Sequence, residues 1–238
     1  MKKTYNRLIS SSMYKKKSSG TQKAGRPRPR ARARPSAGLL LKAARTLFSQ
    51  KGYDGASVHQ LAAAAGVNVS LVSYHFGGKE GLYKACIEQF GCDKLAVAQG
   101  ILKPPSTREE FELRLSMFRD EFFRTHIGEP ELMRIIHRDF DCCNKMTIDI
   151  FYKTFLVAFE KLAGFIEHAQ KKGLARKDVD PFDAATMFFG VLIHIMKTEW
   201  IRKRRYGLSI KDAVFRDRIG YGVLKVFVDG ITAKAGAT

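Results

Sequence analysis

Apolar residues recur every three to four positions along most of the chain, which is the spacing of a helix with one buried face. Glycine, proline and short polar segments separate these runs, and the two-residue alternation typical of strands is absent. The pattern therefore predicts an all-α fold of about nine helices. Besides two short helices between residues 57 and 76, the predicted helices are 36–51, 79–99, 107–126, 130–143, 145–172, 181–205 and 211–229.

The two short helices lie in the stretch GASVHQLAAAAGVNVSLVSYHFGGKEGLY, from Gly55 to Tyr83. Ser57 can cap the first, because a serine hydroxyl accepts from the free amides of an opening turn. Gly66 can end it with a positive φ, and Asn68 or Ser70 can cap the second. The pattern indicates a helix–turn–helix at about 57–76, although an ordinary αα-hairpin in a helical core has the same two helices.

A longer set of residues around this turn keeps a recognisable order and spacing over about 50 positions. The set is Ala43-Ala44, Leu47-Phe48, Gly52-Tyr53, Leu61-Ala62, Ala65-Gly66-Val67, Tyr74-His75-Phe76, Lys79-Glu80 and Leu82-Tyr83. It resembles the N-terminal DNA-binding domain of the TetR family of transcriptional regulators. Asn68 and the run from Ser73 to Gly77 resemble the branch with a CecR-type C-terminal domain. The resemblance implies a three-helix DNA-binding head at 36–83 and a helical effector-binding and dimerisation body at 84–238.

The side of the second short helix that faces away from the core is polar and carries no acidic residue, which suits a phosphate-lined groove. Two positions depart from many family members, which have Tyr in place of Ser73 and Thr in place of Leu71. By resemblance, Lys79 approaches phosphate near a helix N-terminus. The candidate DNA-binding residues of this region are Ser57, His59, Asn68, Val69, Ser70, Leu71, Ser73, Tyr74, His75 and Lys79.

The charge of the chain favours a polyanionic partner. The formal net charge is +19, and the first 38 residues contain twelve Lys or Arg and no Asp or Glu. Residues 1–35 have the composition of a disordered basic arm, and we expect the arm to follow a minor groove. The alternative is a solvated tail with only non-specific attraction. The arginines concerned are Arg26, Arg28, Arg30, Arg32 and Arg34.

The last two predicted helices carry more apolar surface than one subunit of this size can cover, since the middle of 181–205 is apolar on every side. A four-helix interface with a second copy would cover it, and the TetR family dimerises in this way. The alternative places both helices in the core of a monomer. The residues expected at the interface are Phe188, Leu192, Ile195, Trp200, Phe215, Ile219, Val223 and Val226.

The family also implies a small-molecule effector, whose identity the residues do not reveal. An apolar pocket within the body could hold it, although aromatic and Met residues at helical spacing are usually plain core. The candidate lining residues are Phe118, Phe122, Met133, His137, Phe140, Phe151, Phe155, Phe189 and His194.

Other chemistry has little support. Cys142 and Cys143, near His137 and Asp141, suggest a metal or thiol sensor, but no ligand set at zinc spacing accompanies them, so we expect no metal. There is no P-loop, GxSxG, HExxH or dinucleotide-binding glycine pattern, so we expect no enzyme and no cofactor. No apolar run is long enough for a membrane span, and the cysteines show no secreted framework, so we expect a cytoplasmic protein.

These observations together predict a homodimeric, ligand-responsive regulator, a repressor of a palindromic double-stranded DNA operator. By family analogy, the effector would tilt the helix that joins head to body and change the spacing of the two heads. The alternative is an architectural, non-specific DNA-binding protein dominated by its arginine-rich arm.

Overall fold

The all-α prediction is confirmed. The structure, a computed structural model, describes residues 33–232, with side chains from Ser36 onward. Within this part the chain forms α-helices and one π-helical turn, and its only strand-like pairing is a bridge between Ala175 and Thr232. The helices are α1 Ala33–Gly55, α2 Val58–Ala65, α3 Ser70–Phe76, α4 Lys79–Ile101, α5 Arg108–Gly128, α6 Pro130–Asp141, α7 Ile148–Phe151, α8 Val157–Lys171, α9 Pro181–Lys197, α10 Glu199–Tyr206 and α11 Ala213–Ile231.

The head consists of α1 to α3 and the first half of α4. Its core holds an apolar stripe of α1 whose residues recur at helical spacing, including Leu40, Ala44 and Phe48. Helix α1 begins at Ala33, so the last residues of the predicted arm belong to it, and a proline in a first helical turn loses no hydrogen bond there. Gly52, with φ of 73°, interrupts the helix where the sequence predicts its end.

Side chains of α6 and α7 belong to the same apolar cluster as the head, although the predicted head ends at residue 83. Leu132, Ile135 and Ile136 of α6 and Ile150 of α7 are buried in it. The head therefore rests on α6 as well as on its own three helices.

A π-helical turn, Tyr152–Leu156, separates α7 from α8, where the sequence predicts one continuous helix from 145 to 172. It lies against α4 at Gly91, where an added Cβ would come within 2.5 Å of Thr154 Oγ1. The Thr154 hydroxyl in turn donates to the Ile150 carbonyl at 2.7 Å. This close approach fixes the contact between α4 and the start of α8.

The body core lies among α5, α8, α9 and α11. Helix α9 ends at Lys197 and α10 follows as a separate helix, where the sequence predicts a single helix to residue 205. No helix within residues 33–232 is long and apolar enough to cross a membrane.

Helix α9 is not covered on every side within the protomer, which agrees with the expectation that one subunit cannot bury all its apolar surface. One face packs inward, and Met187 and Val191 lie exposed on the other. Several residues predicted at a dimer interface are instead part of the protomer core, because they lie on the inward faces of α9 and α11: these are Phe188, Leu192, Ile195 and Phe215. Ile219 and Val223 are partly buried against that core, while Trp200 and Val226 are exposed.

Candidate nucleic-acid interface

Both short helices of the head have well-formed N-termini. Ser57 and Gln60 form a reciprocal capping box at α2, each side chain bonding the other's backbone N–H at 3.2 Å. At α3 the Asn68 side-chain oxygen accepts from the Ser70 amide at 2.9 Å and from the Ser70 hydroxyl at 2.7 Å. Of the two predicted caps, Asn68 is therefore the one that acts, and its NH₂ group remains available to donate.

The turn between them brings one edge of α2 and α3 to the surface. Gly66 ends α2 in the left-handed region with φ of 64°, as predicted. No acidic residue occurs between Ser57 and Lys79. Tyr74 is 74% exposed and is the most prominent side chain of this edge. The predicted DNA-binding residues that the structure leaves exposed are Ser57, His59, Asn68, Val69, Ser70, Ser73 and Tyr74. We call this set the α2–α3 edge.

Three other predicted DNA-binding residues are placed differently. Leu71 is partly buried and packs against the head core, so most of its side chain faces away from the surface. His75 is half-buried, and its Nε2 is hydrogen-bonded to the Ser36 hydroxyl at 2.8 Å, which ties α3 to the start of α1. Lys79 is half-buried, with its ammonium 4.3 Å from the centre of the Tyr53 ring.

The junction between α3 and α4 is tight. Gly77 and Gly78 both have positive φ, 72° and 124°, which lets α4 start immediately after α3. At Gly81 an added Cβ would lie 1.8 Å from the Phe76 carbonyl oxygen. Any larger residue there must displace the end of α3 from α4, so this glycine sets the orientation of α3.

Helix α6 braces the head through polar contacts that the sequence did not reveal. The Arg138 guanidinium donates to the Phe48 and Ser49 carbonyls at 3.1 and 3.2 Å. Asp139, only 4% exposed, accepts from the Tyr83 hydroxyl at 2.7 Å and from the Thr147 hydroxyl at 2.8 Å. Burial and the bond to Asp139 raise the pKa of Tyr83, so its phenol stays protonated and donates.

The arginine-rich arm cannot be placed from this structure. Arg26, Arg28, Arg30 and Arg32 lie outside the described residues, and the Arg34 side chain lies outside them as well.

The residues predicted to line an effector pocket do not converge on one site. Met133 and Phe151 are buried in the head cluster, with Phe155 packed against it, and Phe140 and His194 are exposed. Phe118, Phe122 and Phe189 do lie together in the body, with ring centroids 5.3 Å apart for Phe122 and Phe189.

A histidine pair adjoins these body aromatics. His126, which the sequence did not single out, lies 4.1 Å from the Phe122 ring. Its Nδ1 donates to the Phe122 carbonyl at 2.8 Å, so its Nε2 accepts from His137 Nε2 at 3.4 Å. Burial lowers the pKa of His126 to about 4 and also lowers that of His137. Both imidazoles are therefore neutral at pH 7.

The cysteines do not form a common site. Cys86 is buried beneath α1, and burial raises the pKa of its thiol to about 12. Cys92, Cys142 and Cys143 are exposed. Within residues 33–232 no three His, Cys, Asp or Glu side chains are placed to hold a metal ion.

The sequence comparisons agree with this geometry. Residues 40–86 match the family model for bacterial regulatory proteins of the tetR family. The probable HTH-type transcriptional regulator YttP of Bacillus subtilis is 34% identical over 103 residues, 42% of this chain and 48% of YttP. The HTH-type transcriptional repressor AcnR of Corynebacterium glutamicum is 29% identical over 87 residues, 33% of this chain and 46% of AcnR. The chain thus spans about half the length of these curated relatives.

Solved structures share the fold over most of the chain. The transcriptional regulator FadR from Bacillus subtilis, in complex with stearoyl-CoA, has a TM-score of 0.66 at 18% identity and covers 82% of this chain and 98% of its own. SmeT, the repressor of the Stenotrophomonas maltophilia efflux pump SmeDEF, has a TM-score of 0.61 at 17% identity, covering 85% and 92%. These relatives are regulators, not enzymes, and the resemblance to the CecR-type branch stays a prediction. Residues 40–86 are thus similar to the N-terminal domain of the tetR family of bacterial regulatory proteins.

Proposed function

We propose that the protein is a sequence-specific DNA-binding repressor that holds a palindromic operator as a homodimer and releases it on binding a small molecule. The observation that carries the proposal is the α2–α3 edge, an exposed and acid-free surface supported from behind by α1, α4 and α6. A helix presented in this way can enter the major groove, which is wide enough for one helix.

Individual side chains of the edge suit different parts of the duplex. Asn68 keeps two N–H donors free while its oxygen caps α3, so it can donate to a base edge or a phosphate. Ser73 and Tyr74 carry exposed hydroxyls, and such groups bond mostly to phosphate and sugar. His75 and Leu71 then act indirectly, by holding α3 in place.

Exposed apolar side chains on the last helices support a dimer. Protomers rarely expose large contiguous apolar patches unless a partner covers them. On α9 the exposed residues include Phe182, Met187 and Val191, and on α11 they include Val214, Tyr221 and Val226. A twofold axis through these faces would present two α3 helices to the two halves of a palindrome.

The aromatic group of the body supports an effector site. Phe118, Phe122 and Phe189 adjoin the neutral His126–His137 pair, in which His137 Nδ1 has no hydrogen-bond partner among residues 33–232 and can bond a ligand. The structural neighbour FadR binds stearoyl-CoA, which shows that this fold can hold a ligand. An effector acts only if it binds the released state more tightly than the DNA-bound state.

Selection of binding sites from random duplex DNA, followed by affinity measurement, tests the proposal. A specific regulator should bind the selected duplex about 10³-fold or more tightly than random DNA. A ratio near one would instead favour an architectural protein dominated by its arginine-rich arm.

Asn68→Asp tests the DNA contact without disturbing the fold. Aspartate can still cap α3, but it lacks the two N–H donors of the amide and adds a negative charge. We expect affinity for the selected duplex to fall more than about tenfold. Asn144→Asp is the matched control, since the Asn144 side-chain oxygen accepts from the Met146 amide in the same local geometry, away from the edge. Equal binding by Asn68→Asp and the wild-type chain would remove the α2–α3 edge from the mechanism.

A further inference from the structure

Helix α10 forms a basic and aromatic surface that the proposed reading head does not use. None of its residues is buried, and Trp200 and Tyr206 are 66% and 67% exposed. Lys203, Arg204 and Arg205 are exposed and pair with no carboxylate among residues 33–232. No acidic residue occurs from Trp200 to Lys211. We call these five residues of α10 the α10 cluster.

The cluster is held rigidly by the body. The Arg202 guanidinium folds back to donate to the Ile195 carbonyl and to the Thr198 hydroxyl, and it lies 6.0 Å from the Phe215 ring. Beyond α10, the Ser209 hydroxyl donates to Glu199 at 2.6 Å. The three unpaired cations therefore project from a fixed helix, so a ligand would not have to order a loose segment.

The cluster lies at the end of the body that adjoins the head. Lys197, the last residue of α9, forms an ion pair with Asp141 at the end of α6. One turn earlier in α6, Arg138 donates to the carbonyls of Phe48 and Ser49 in α1. Helix α10 begins two residues after Lys197, so its charges lie on the side of the body from which the head extends.

We propose that the α10 cluster binds the phosphate backbone of the same DNA duplex that the head reads, as a second, sequence-independent contact. This inference rests on the proposed function. Phosphate contacts by Lys and Arg supply much of the affinity of DNA-binding proteins and position them on the duplex.

The charge pattern argues for this occupant over two others. A second copy of the chain would face α10 with like charges across a twofold axis, which is repulsive. An anionic membrane favours helices whose apolar and basic side chains lie on opposite faces. In α10 the apolar and basic side chains lie on the same faces: Arg204 follows Trp200 by one turn, and Arg205 follows Ile201 by one turn.

The salt dependence of binding to the selected duplex provides the first test. In the triple variant Lys203→Ala/Arg204→Ala/Arg205→Ala, the slope of log K against log salt should flatten by about two to five units for a dimer, and affinity should fall at least about tenfold. The control removes three exposed lysines, Lys171 at the end of α8 and Lys172 and Lys177 in the segment that leads to α9. Helix α9 has 17 residues, so its first residue lies about 25 Å from Lys197.

Because both variants lose the same net charge, only a local contact distinguishes them. Equal slopes for the two variants would overturn the proposal. If the wild-type chain selects no duplex at all, the proposed function fails instead.

Trp200 gives a second test on the unmodified protein, since it is the only tryptophan in the chain. Binding of the selected duplex should reduce quenching of its fluorescence by acrylamide at least twofold. Unchanged quenching in the saturated complex would contradict the contact. Vesicles of phosphatidylserine provide the comparison: protection by the vesicles with none by the duplex would assign the cluster to a membrane surface.

Discussion

Replacing Tyr83 with Phe should destabilise the protein far more than the loss of one oxygen atom suggests. The Tyr83 hydroxyl donates to Asp139 at 2.7 Å, and the Thr147 hydroxyl donates to the other carboxylate oxygen at 2.8 Å. Asp139 is only 4% exposed, so water cannot replace a lost donor easily. A hydrogen bond to a charged group contributes about 1.5–3 kcal/mol. We therefore expect Tyr83→Phe to lower the free energy of unfolding by about 2 kcal/mol.

A double-mutant cycle with Thr147→Val sharpens this expectation. Both hydroxyls solvate one carboxylate, so losing the second donor should cost more than losing the first. The coupling energy should be at least about 0.5 kcal/mol, whereas independent sites add. Urea unfolding at pH 7, followed by circular dichroism, measures all four proteins.

Tyr53→Phe is the matched control. The Tyr53 ring packs against that of Tyr83, with centroids 5.2 Å apart, but its hydroxyl has no hydrogen-bond partner among residues 33–232. Its removal should change stability by less than about 0.5 kcal/mol. If Tyr83→Phe and Tyr53→Phe were equally mild, the buried carboxylate would not link the head to α6 as described.

Three further variants test other parts of the structure. Gly81→Ala should lower the free energy of unfolding by about 1–3 kcal/mol and weaken DNA binding, because the new Cβ would lie 1.8 Å from the Phe76 carbonyl oxygen. Gly100→Ala in the same helix is the control, since a Cβ there meets open space and should leave stability unchanged or raise it. Thermal melting compares the two variants. The pKa of His126 is lowered to about 4, so below about pH 6.5 the unfolded chain binds a proton at this site and the folded chain does not. The free energy of unfolding should therefore fall as the pH drops from 6.5 toward 4. His126→Gln should remove about 2 kcal/mol of that loss, which urea titrations at each pH measure. Val191→Glu on the exposed face of α9 should yield monomers in sedimentation at micromolar concentration. Leu113→Glu, at a still more exposed position on α5, should leave the dimer intact. A Val191→Glu dimer would place the interface elsewhere.

Much of the head was predictable because its signals are local. Capping by Ser57, the end of α2 at Gly66 and the break at Gly52 each depend on a few neighbouring residues, and the apolar stripe of α1 follows from helical periodicity alone. The absence of acidic residues from Ser57 to Lys79 is likewise readable from the chain. These features sufficed to predict a helix–turn–helix and its exposed edge.

The less successful predictions concern which face of a helix is covered. Periodicity shows that a helix has an apolar face but not which neighbour packs on it, so it predicts Phe188 and Leu192 at a dimer interface although they fill the protomer core. For the same reason the pattern predicts a DNA contact for His75, whereas its imidazole bonds Ser36, which is 39 residues away.

The sequence by itself determined the helical class, the location of the helix–turn–helix and the sign of the charge offered to a partner, because propensity, capping and composition act over short distances. Only the tertiary structure decided that α6 braces the head through Asp139, that His126 meets His137, and that the cations of α10 lie at the head end of the body. These contacts join residues that are between 11 and 56 positions apart. Their formation depends on how whole helices pack, which no local pattern encodes.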